Sequence, residues 1–91
     1  MAIAREFEGT GWTVGQYDEL IRRMDLGGRS APGVLFHWAA PTEGGMKAVD
    51  VYESRERADA LAQDRIAPVV QELGLPMPEI REYEVHAILT P

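Results

Sequence analysis

Two polar side chains lie inside otherwise apolar segments, and their types are suited to proton transfer. His37 lies within V-L-F-H-W-A, and Asp50 lies within A-V-D-V-Y. A polar group in such a segment is costly unless it is hydrogen-bonded or used in function. A carboxylate beside an imidazole fixes its tautomer and raises its basicity, which favours a general base near neutral pH. We therefore predict that His37 is a catalytic base and that Asp50 orients it. The alternative is a structural hydrogen-bonded pair.

The two side chains can meet only if their segments pair as a hairpin. Residues 33–39 and 46–52 are typical of strands, and the Pro-Thr-Glu-Gly-Gly stretch between them predicts a turn. If Ala39 pairs with Met46, His37 lies opposite Ala48, and Asp50 is its diagonal neighbour on the same face. A slip of one residue would move them to opposite faces. In this register one face carries Leu35, His37, Ala39, Ala48, Asp50 and Tyr52, and the other carries Val34, Phe36, Trp38, Val49 and Val51.

Three further side chains are predicted to line a ligand pocket: Tyr17, Tyr52 and His86. A tyrosine hydroxyl can donate to a ligand oxygen, although aromatic residues at such spacing also pack in cores. Two histidines and one carboxylate lack the close spacing of metal ligands. The two Gly-Gly pairs resemble turns rather than phosphate-binding loops. We predict neither a metal nor a cofactor.

Local signals predict two helices between the strands. Thr13 and Gln16 form a T-x-x-Q capping box, and an apolar face begins at Tyr17. Gly27-Gly28 is expected to end this helix by taking a left-handed conformation. Ser54 is placed to cap a second helix that continues to Leu73. Pro68 lies inside that helix and predicts a kink or break near residues 66–67.

Strands at residues 2–8 and 79–89 complete the order βαββαβ, which predicts a single ferredoxin-like α+β domain over residues 1–91 with a four-stranded antiparallel sheet. The helix-length crossovers are long enough to set parallel strands side by side as well, and we expect them to place both helices on one face of the sheet. The other face would then expose apolar side chains, among them some of Phe7, Phe36, Trp38, Val49 and Val51. Packing two such faces together covers them, so we predict a homodimer.

Composition narrows the class of protein. The chain carries a net charge of −6 with scattered basic residues, which opposes binding to nucleic acid and to anionic membranes. It has no cysteine, which excludes thiol catalysis and disulfides. The first residues lack the apolar core of a signal peptide, and no apolar run approaches the ~18 residues of a membrane span. We expect a cytoplasmic protein.

The sequence resembles the dimeric α/β-barrel proteins of the antibiotic-biosynthesis-monooxygenase type. The resemblance covers nearly the whole chain and rests on three segments: G-W-T-x-x-Q-Y-D from Gly11, P-G-V-L-F-H from Pro32, and the stretch 41–56. It implies a dimer with a ligand pocket between the sheet and the two helices. Two of the superfamily's mechanisms do not transfer. The chain has no asparagine, on which the quinone-forming oxygenases depend, and residues 54–73 lack the histidine of haem-degrading members.

Two kinds of function follow from these observations. The first is an enzyme that binds a hydrophobic or aromatic small molecule and uses His37 and Asp50 in cofactor-independent oxygenation or ring closure. The second is a non-catalytic dimer that binds a ligand or has only a structural role. A cavity beside His37 of roughly 300 Å³ or more separates ligand binding from a purely structural role, because small-molecule sites have about this volume or more.

Overall fold

A computed structural model describes residues 1–89. Its elements are β1 (Ile3–Thr10), α1 (Val14–Met24), β2 (Val34–Thr42), β3 (Gly45–Tyr52), α2 (Arg55–Leu61), a π-helical turn (Ala62–Ile66), α3 (Ala67–Glu72) and β4 (Glu79–Glu84). The strands form one sheet in the order β2-β3-β1-β4, with every neighbouring pair antiparallel. The ferredoxin-like fold is therefore confirmed. The expectation of adjacent parallel strands is wrong, because β3 separates β1 from β2 and β1 separates β3 from β4.

Helix α1 begins as the capping box predicts and ends earlier than its glycines suggest. The Gln16 amide donates to Thr13 Oγ1 at 3.1 Å, and the Gln16 side chain accepts from the Thr13 amide at 2.9 Å. The left-handed residue at the other end is Asp25, with φ of 55°. Gly27 and Gly28 instead form the turn after it, closed by the Arg29 amide donating to Leu26 O. Asp25 can take this role because a short polar side chain tolerates the left-handed region.

The second helical segment is interrupted where Pro68 predicts it. Ser54 Oγ accepts from the Arg57 amide and caps α2. The π-helical turn follows, and its last bond runs from the Ala67 amide to Ala62 O. Pro68 then lies in the first turn of α3, where its missing donor is not needed. Gly74, with φ of 67°, ends the segment.

The β2–β3 hairpin has a register two residues away from the predicted one. Ala39 pairs with Ala48 rather than Met46, and His37 lies directly opposite Asp50. The strands extend to Thr42 and Gly45, so the turn is shorter than predicted. Because the shift is even, His37 and Asp50 keep a common face.

One residue changes face relative to the prediction, and one of the candidates for the exposed face lies on the other side. A bulge at Leu35 brings Val34 opposite Tyr52, which places Val34 on the helix-facing side against the core. Phe7 lies opposite Ala48, so it also belongs to the helix-facing side and not to the exposed one.

Strand β4 is shorter than predicted and stops at Glu84. Its partner β1 starts at Ile3, directly opposite Glu84. One further bond follows, from the Val85 amide to Ala2 O. His86 therefore lies beyond the strand, although the alternation of residue types continues past it.

The helices cover one face of the sheet and leave the other without a covering layer. The core lies between helices and sheet, and its most buried side chains are Tyr52, Ala58 and Val70. We call the uncovered side the open face; its apolar side chains are Phe36, Trp38, Val49, Val51 and Tyr83. Phe36, Trp38 and Tyr83 are 53%, 43% and 50% exposed.

No helix among residues 1–89 has the length and apolar character needed to cross a membrane.

Candidate functional site

A row of polar residues crosses the helix-facing side of the sheet, one from each strand. The registers place His37 opposite Asp50, Asp50 opposite Arg5, and Arg5 opposite Glu82. The flanking rows are mainly apolar, with Phe7 and Ala48 on one side and Ile3 and Tyr52 on the other. The sheet therefore holds a band of charge between two apolar bands.

Asp50 is the most deeply placed polar residue of this row, with 6% of its surface exposed. Its carboxylate accepts one hydrogen bond at each oxygen. His37 Nδ1 binds Oδ1, and the Tyr52 hydroxyl donates to Oδ2 at 2.7 Å. Burial and the negative charge of Asp50 raise the pKa of Tyr52 well above its ordinary value. Tyr52 therefore remains a protonated donor, and the carboxylate is satisfied although it is buried.

Tyr17, from the first turns of α1, contacts the other ring nitrogen of His37. Its hydroxyl lies 2.5 Å from Nε2, and the two rings stack with centroids 6.2 Å apart and planes 5° apart. Burial, followed by the charges of Asp50 and Asp18, raises the pKa of Tyr17. We call the chain Tyr17–His37–Asp50 the relay.

A cavity of about 640 Å³ lies between the sheet and the helices, and all three relay residues form part of its wall. Most of the remaining wall is apolar; it includes Phe7, Trp12, Leu20, Ile21, Met24, Met46, Ala48, Leu61 and Ile66. The loop Gly27–Ala31 forms another part. The volume exceeds the roughly 300 Å³ that small-molecule sites need.

Arg5 anchors the far end of the polar row. Its guanidinium pairs with Asp59 at 2.6 Å and with Glu82 at 3.0 Å, and Arg55 also pairs with Glu82 at 2.8 Å. Burial lowers the pKa of Arg5, but its hydrogen bonds to these carboxylates outweigh burial, so the pKa is raised. These ion pairs join β1, α2 and β4, which form the side of the site opposite β2.

The structure brings four of the five residues that the sequence singled out into contact, and three of these line the cavity. His37, Asp50 and Tyr17 line the cavity, whereas Tyr52 is fully buried behind Asp50 and is absent from the lining. His86 is exposed and does not line the cavity, because β4 ends before it. The catalytic roles of His37 and Asp50 remain predictions.

The sequence did not predict the contact between Tyr17 and His37. Tyr17 starts the apolar face of α1 that buries Leu20 and Met24, so its position toward the sheet could be read from the helical period. Which strand it meets depends on how α1 lies across the sheet, and periodicity does not contain that information. Trp12 has a structural bond, donating from Nε1 to Pro76 O at 2.9 Å.

Residues 1–89 contain no cluster of three or more histidine, cysteine or acidic side chains placed to hold a metal ion.

Comparison with known proteins gives a match at the level of structure. No protein-family model matches the chain, and no curated protein sequence matches it. A protein from Chloroflexus aurantiacus described as an antibiotic biosynthesis monooxygenase has a similar structure, with a TM-score of 0.68 and 20% identity; the match covers 99% of this chain and 98% of that one. The chain has the fold of the antibiotic biosynthesis monooxygenase-like proteins.

Two further solved structures share this monooxygenase-like fold. A protein of unknown function from Nitrosomonas europaea has a TM-score of 0.70 and 19% identity, with 99% of this chain and 92% of that chain covered. SnoaB, a cofactor-independent oxygenase from Streptomyces nogalater, has a TM-score of 0.63 and 16% identity, with 99% of this chain and 96% of that chain covered. The fold implied by the sequence resemblance is therefore confirmed.

Proposed function

We propose that this protein binds a hydrophobic or aromatic small molecule in the cavity and catalyses a proton transfer through the relay. The observation that carries this proposal is the Asp50–His37–Tyr17 chain in the wall of a mainly apolar cavity of about 640 Å³. Its carboxylate is buried, and 30% of the His37 side chain is exposed. Apolar pockets with a few convergent polar groups are typical of small-molecule sites. The cavity argues against a purely structural role, in which the interior would be filled.

Tyr17 is the point at which a substrate meets the relay. The Asp50 carboxylate is hydrogen-bonded to Nδ1 of His37 and the Tyr17 hydroxyl to Nε2, so neither ring nitrogen is free to bind a substrate. A substrate proton therefore passes to the Tyr17 oxygen as Tyr17 passes its own proton to Nε2. The raised pKa of Tyr17 disfavours a lasting phenolate, so the two transfers are coupled. Asp50 then stabilises the imidazolium, as an orienting carboxylate does in other relays.

The reaction that follows needs no cofactor if the substrate is an acidic aromatic methylene compound. Loss of a proton gives a carbanion stabilised by the ring, which transfers electrons to O₂. One oxygen atom becomes a carbonyl in place of the CH₂ group, and the other leaves as water with the two hydrogens. The description of SnoaB as a cofactor-independent oxygenase supports this class. Ring closure by attack of the same carbanion on a carbonyl uses the relay equally and involves no change of oxidation state.

A non-catalytic binding protein is the second candidate, and the cavity supports it as well. One experiment distinguishes a binding protein from an enzyme. Hydroxylated polycyclic aromatics are first screened by ligand-induced thermal shift, and the compounds that bind are then assayed for oxygen consumption and product formation. Binding without turnover across the set favours the non-catalytic protein.

For any substrate that is turned over, His37→Ala is expected to lower turnover by about 100-fold or more, the usual contribution of a general base. Its matched control is His86→Ala, which removes the other histidine and leaves the cavity wall intact. Circular dichroism checks that both variants fold. Wild-type turnover by His37→Ala would remove the relay from the mechanism.

We also propose that two copies associate through their open faces. The exposed Phe36, Trp38 and Tyr83 lie on one side of one sheet, and aromatic side chains of this kind are enriched in protein interfaces. Two sheets packed face to face would bury them in a two-fold dimer. Most of the cavity wall lies on the opposite side of each sheet, although Phe36 also borders the cavity. Association through the open faces would therefore leave most of the cavity wall free to contact a ligand.

A further inference from the structure

The direction of the hydrogen bonds in the relay follows from Asp50. A carboxylate can only accept hydrogen bonds, and both oxygens of this one are engaged, by His37 at Oδ1 and by Tyr52 at Oδ2. Tyr52 is fully buried and its pKa is raised, so it donates its proton to Oδ2. His37 must therefore carry its proton on Nδ1.

This tautomer determines what Tyr17 can offer to a ligand. A neutral imidazole with its proton on Nδ1 has an acceptor lone pair on Nε2. The Tyr17 hydroxyl, 2.5 Å away, donates to that lone pair. Its single proton is then used inside the protein, and the Tyr17 oxygen presents only lone pairs to the cavity. Phe7, Leu20 and Ala48 in the same wall offer no side-chain donor. The wall also holds donors on Trp12, Arg22, Arg29, Ser30 and Lys47, and all of these except Arg29 bind partners within the protein.

We propose that the cavity selects aromatic ligands that donate a hydrogen bond at the relay, such as phenols and enols, over ligands whose oxygen only accepts. This inference rests on the proposed ligand binding and adds the polarity of the ligand group. A phenol O–H completes the chain ligand–Tyr17–His37–Asp50. The methyl ether of the same compound has no proton to donate, so its oxygen lone pairs would face the lone pairs of the Tyr17 oxygen. A site built to accept a hydrogen bond from its ligand rejects analogues that cannot donate one.

Naphthol and its methyl ether are the test probes, and calorimetry or fluorescence titration gives their dissociation constants. Wild-type protein is expected to bind naphthol at least ten times more tightly than the ether. Tyr17→Phe removes the oxygen and is expected to reduce this ratio about tenfold, to near one. Tyr83→Phe makes the same chemical change on the open face and is expected to keep the wild-type ratio.

Nitrogen NMR of histidine-labelled protein gives a readout that needs no ligand. The chain has only two histidines, so His86→Gln assigns the His37 signals. At neutral pH we expect a protonated Nδ1 and an unprotonated Nε2. A proton on Nε2 would overturn the inference, because Tyr17 would then be free to donate into the cavity.

The outcomes separate this inference from the proposed function. Equal affinity for naphthol and its ether in wild-type protein, or an unchanged ratio in Tyr17→Phe, overturns the selectivity and leaves ligand binding standing. No binding of either probe, nor of the wider aromatic set, contradicts the proposed function and the selectivity with it. Three results together support the inference: wild-type protein binds naphthol at least ten times more tightly than the ether, Tyr17→Phe loses this preference, and His37 carries its proton on Nδ1.

Discussion

The two faces of the β2–β3 hairpin have opposite characters. The helix-facing side carries the buried Asp50 and the partly exposed His37, whereas the open face carries Phe36, Trp38 and Val49. A typical sheet covered on one side buries its apolar residues and exposes its polar ones. Here the polar groups His37 and Asp50 lie on the covered side of the sheet, and large apolar groups lie on the uncovered side.

The two faces therefore need different explanations. The buried polar groups satisfy one another, since residues 1–89 leave no buried side-chain nitrogen or oxygen without a hydrogen bond. The exposed aromatic side chains of the open face, by contrast, are not covered by any other part of residues 1–89. A cavity wall therefore accounts for one face, and contact with a second copy would account for the other.

The largest effect on stability is expected from Asp50→Ala on the helix-facing side. The change leaves the Tyr52 hydroxyl and His37 Nδ1 without their acceptor in a buried position. Loss of one partner in such a network costs about 3 kcal/mol of unfolding free energy. Urea denaturation measures it. Asp18→Ala on the exposed side of α1 is the control and is expected to change stability by less than about 0.5 kcal/mol. Equal effects would mean that the buried network does not stabilise the fold.

Trp38→Glu tests the open face. A carboxylate in the proposed interface is expected to weaken the dimer about 100-fold, since loss of an aromatic anchor in an interface costs about 2–4 kcal/mol. Sedimentation equilibrium measures the dissociation constant. Val14→Glu places the same charge at another exposed apolar residue, in the helical layer, and is expected to leave it unchanged. A wild-type protein that is monomeric at micromolar concentration would exclude the proposed dimer.

The sequence predicted the features that depend on neighbouring residues or on the alternation of side chains along a strand. The capping box at Thr13 was read correctly because it needs only residues three apart. The shared face of His37 and Asp50 was also correct although the register was not, because a shift of two residues preserves alternation. The dimensions of the turn, by contrast, could not be read from Gly44 and Gly45 alone.

Features that depend on distant parts of the chain were missed. Strand β4 stops at Glu84 because β1 begins opposite it, so His86 was placed on a strand that had no partner there. The contact of Tyr17 with His37 depends on how α1 crosses the sheet. Tyr52 was assigned to the ligand although its hydroxyl is used by Asp50. In each case the residue type was informative, and the missing information was tertiary.

A smaller effect is expected from removing one hydroxyl on each face. Tyr52→Phe leaves Oδ2 of Asp50 buried without a donor and should lower the free energy of unfolding by about 1–2 kcal/mol. Tyr83→Phe removes a hydroxyl from a side chain that is half-exposed in the single chain, and it keeps the aromatic ring for the proposed contact between copies. It should therefore change the free energy of unfolding by less than about 0.5 kcal/mol. Urea denaturation of both variants gives the comparison. If Tyr52→Phe were as stable as wild type, the hydroxyl would not be holding the carboxylate.

The smallest effect concerns the ionisation of Tyr17. Its pKa is raised by burial and by Asp50, so in folded protein it should lose its proton above the ordinary value of about 10. The stability that the protonated form contributes is complete below about pH 10 and is lost as the pH rises through the folded-state pKa. Ultraviolet titration of wild type and Tyr17→Phe isolates this component. The part of the wild-type absorbance change that Tyr17→Phe lacks is the ionisation of Tyr17. If that part titrated at or below about pH 10, neither burial nor the charge of Asp50 would be raising the pKa of Tyr17. The helix-facing side would then be more open to solvent than its contacts indicate.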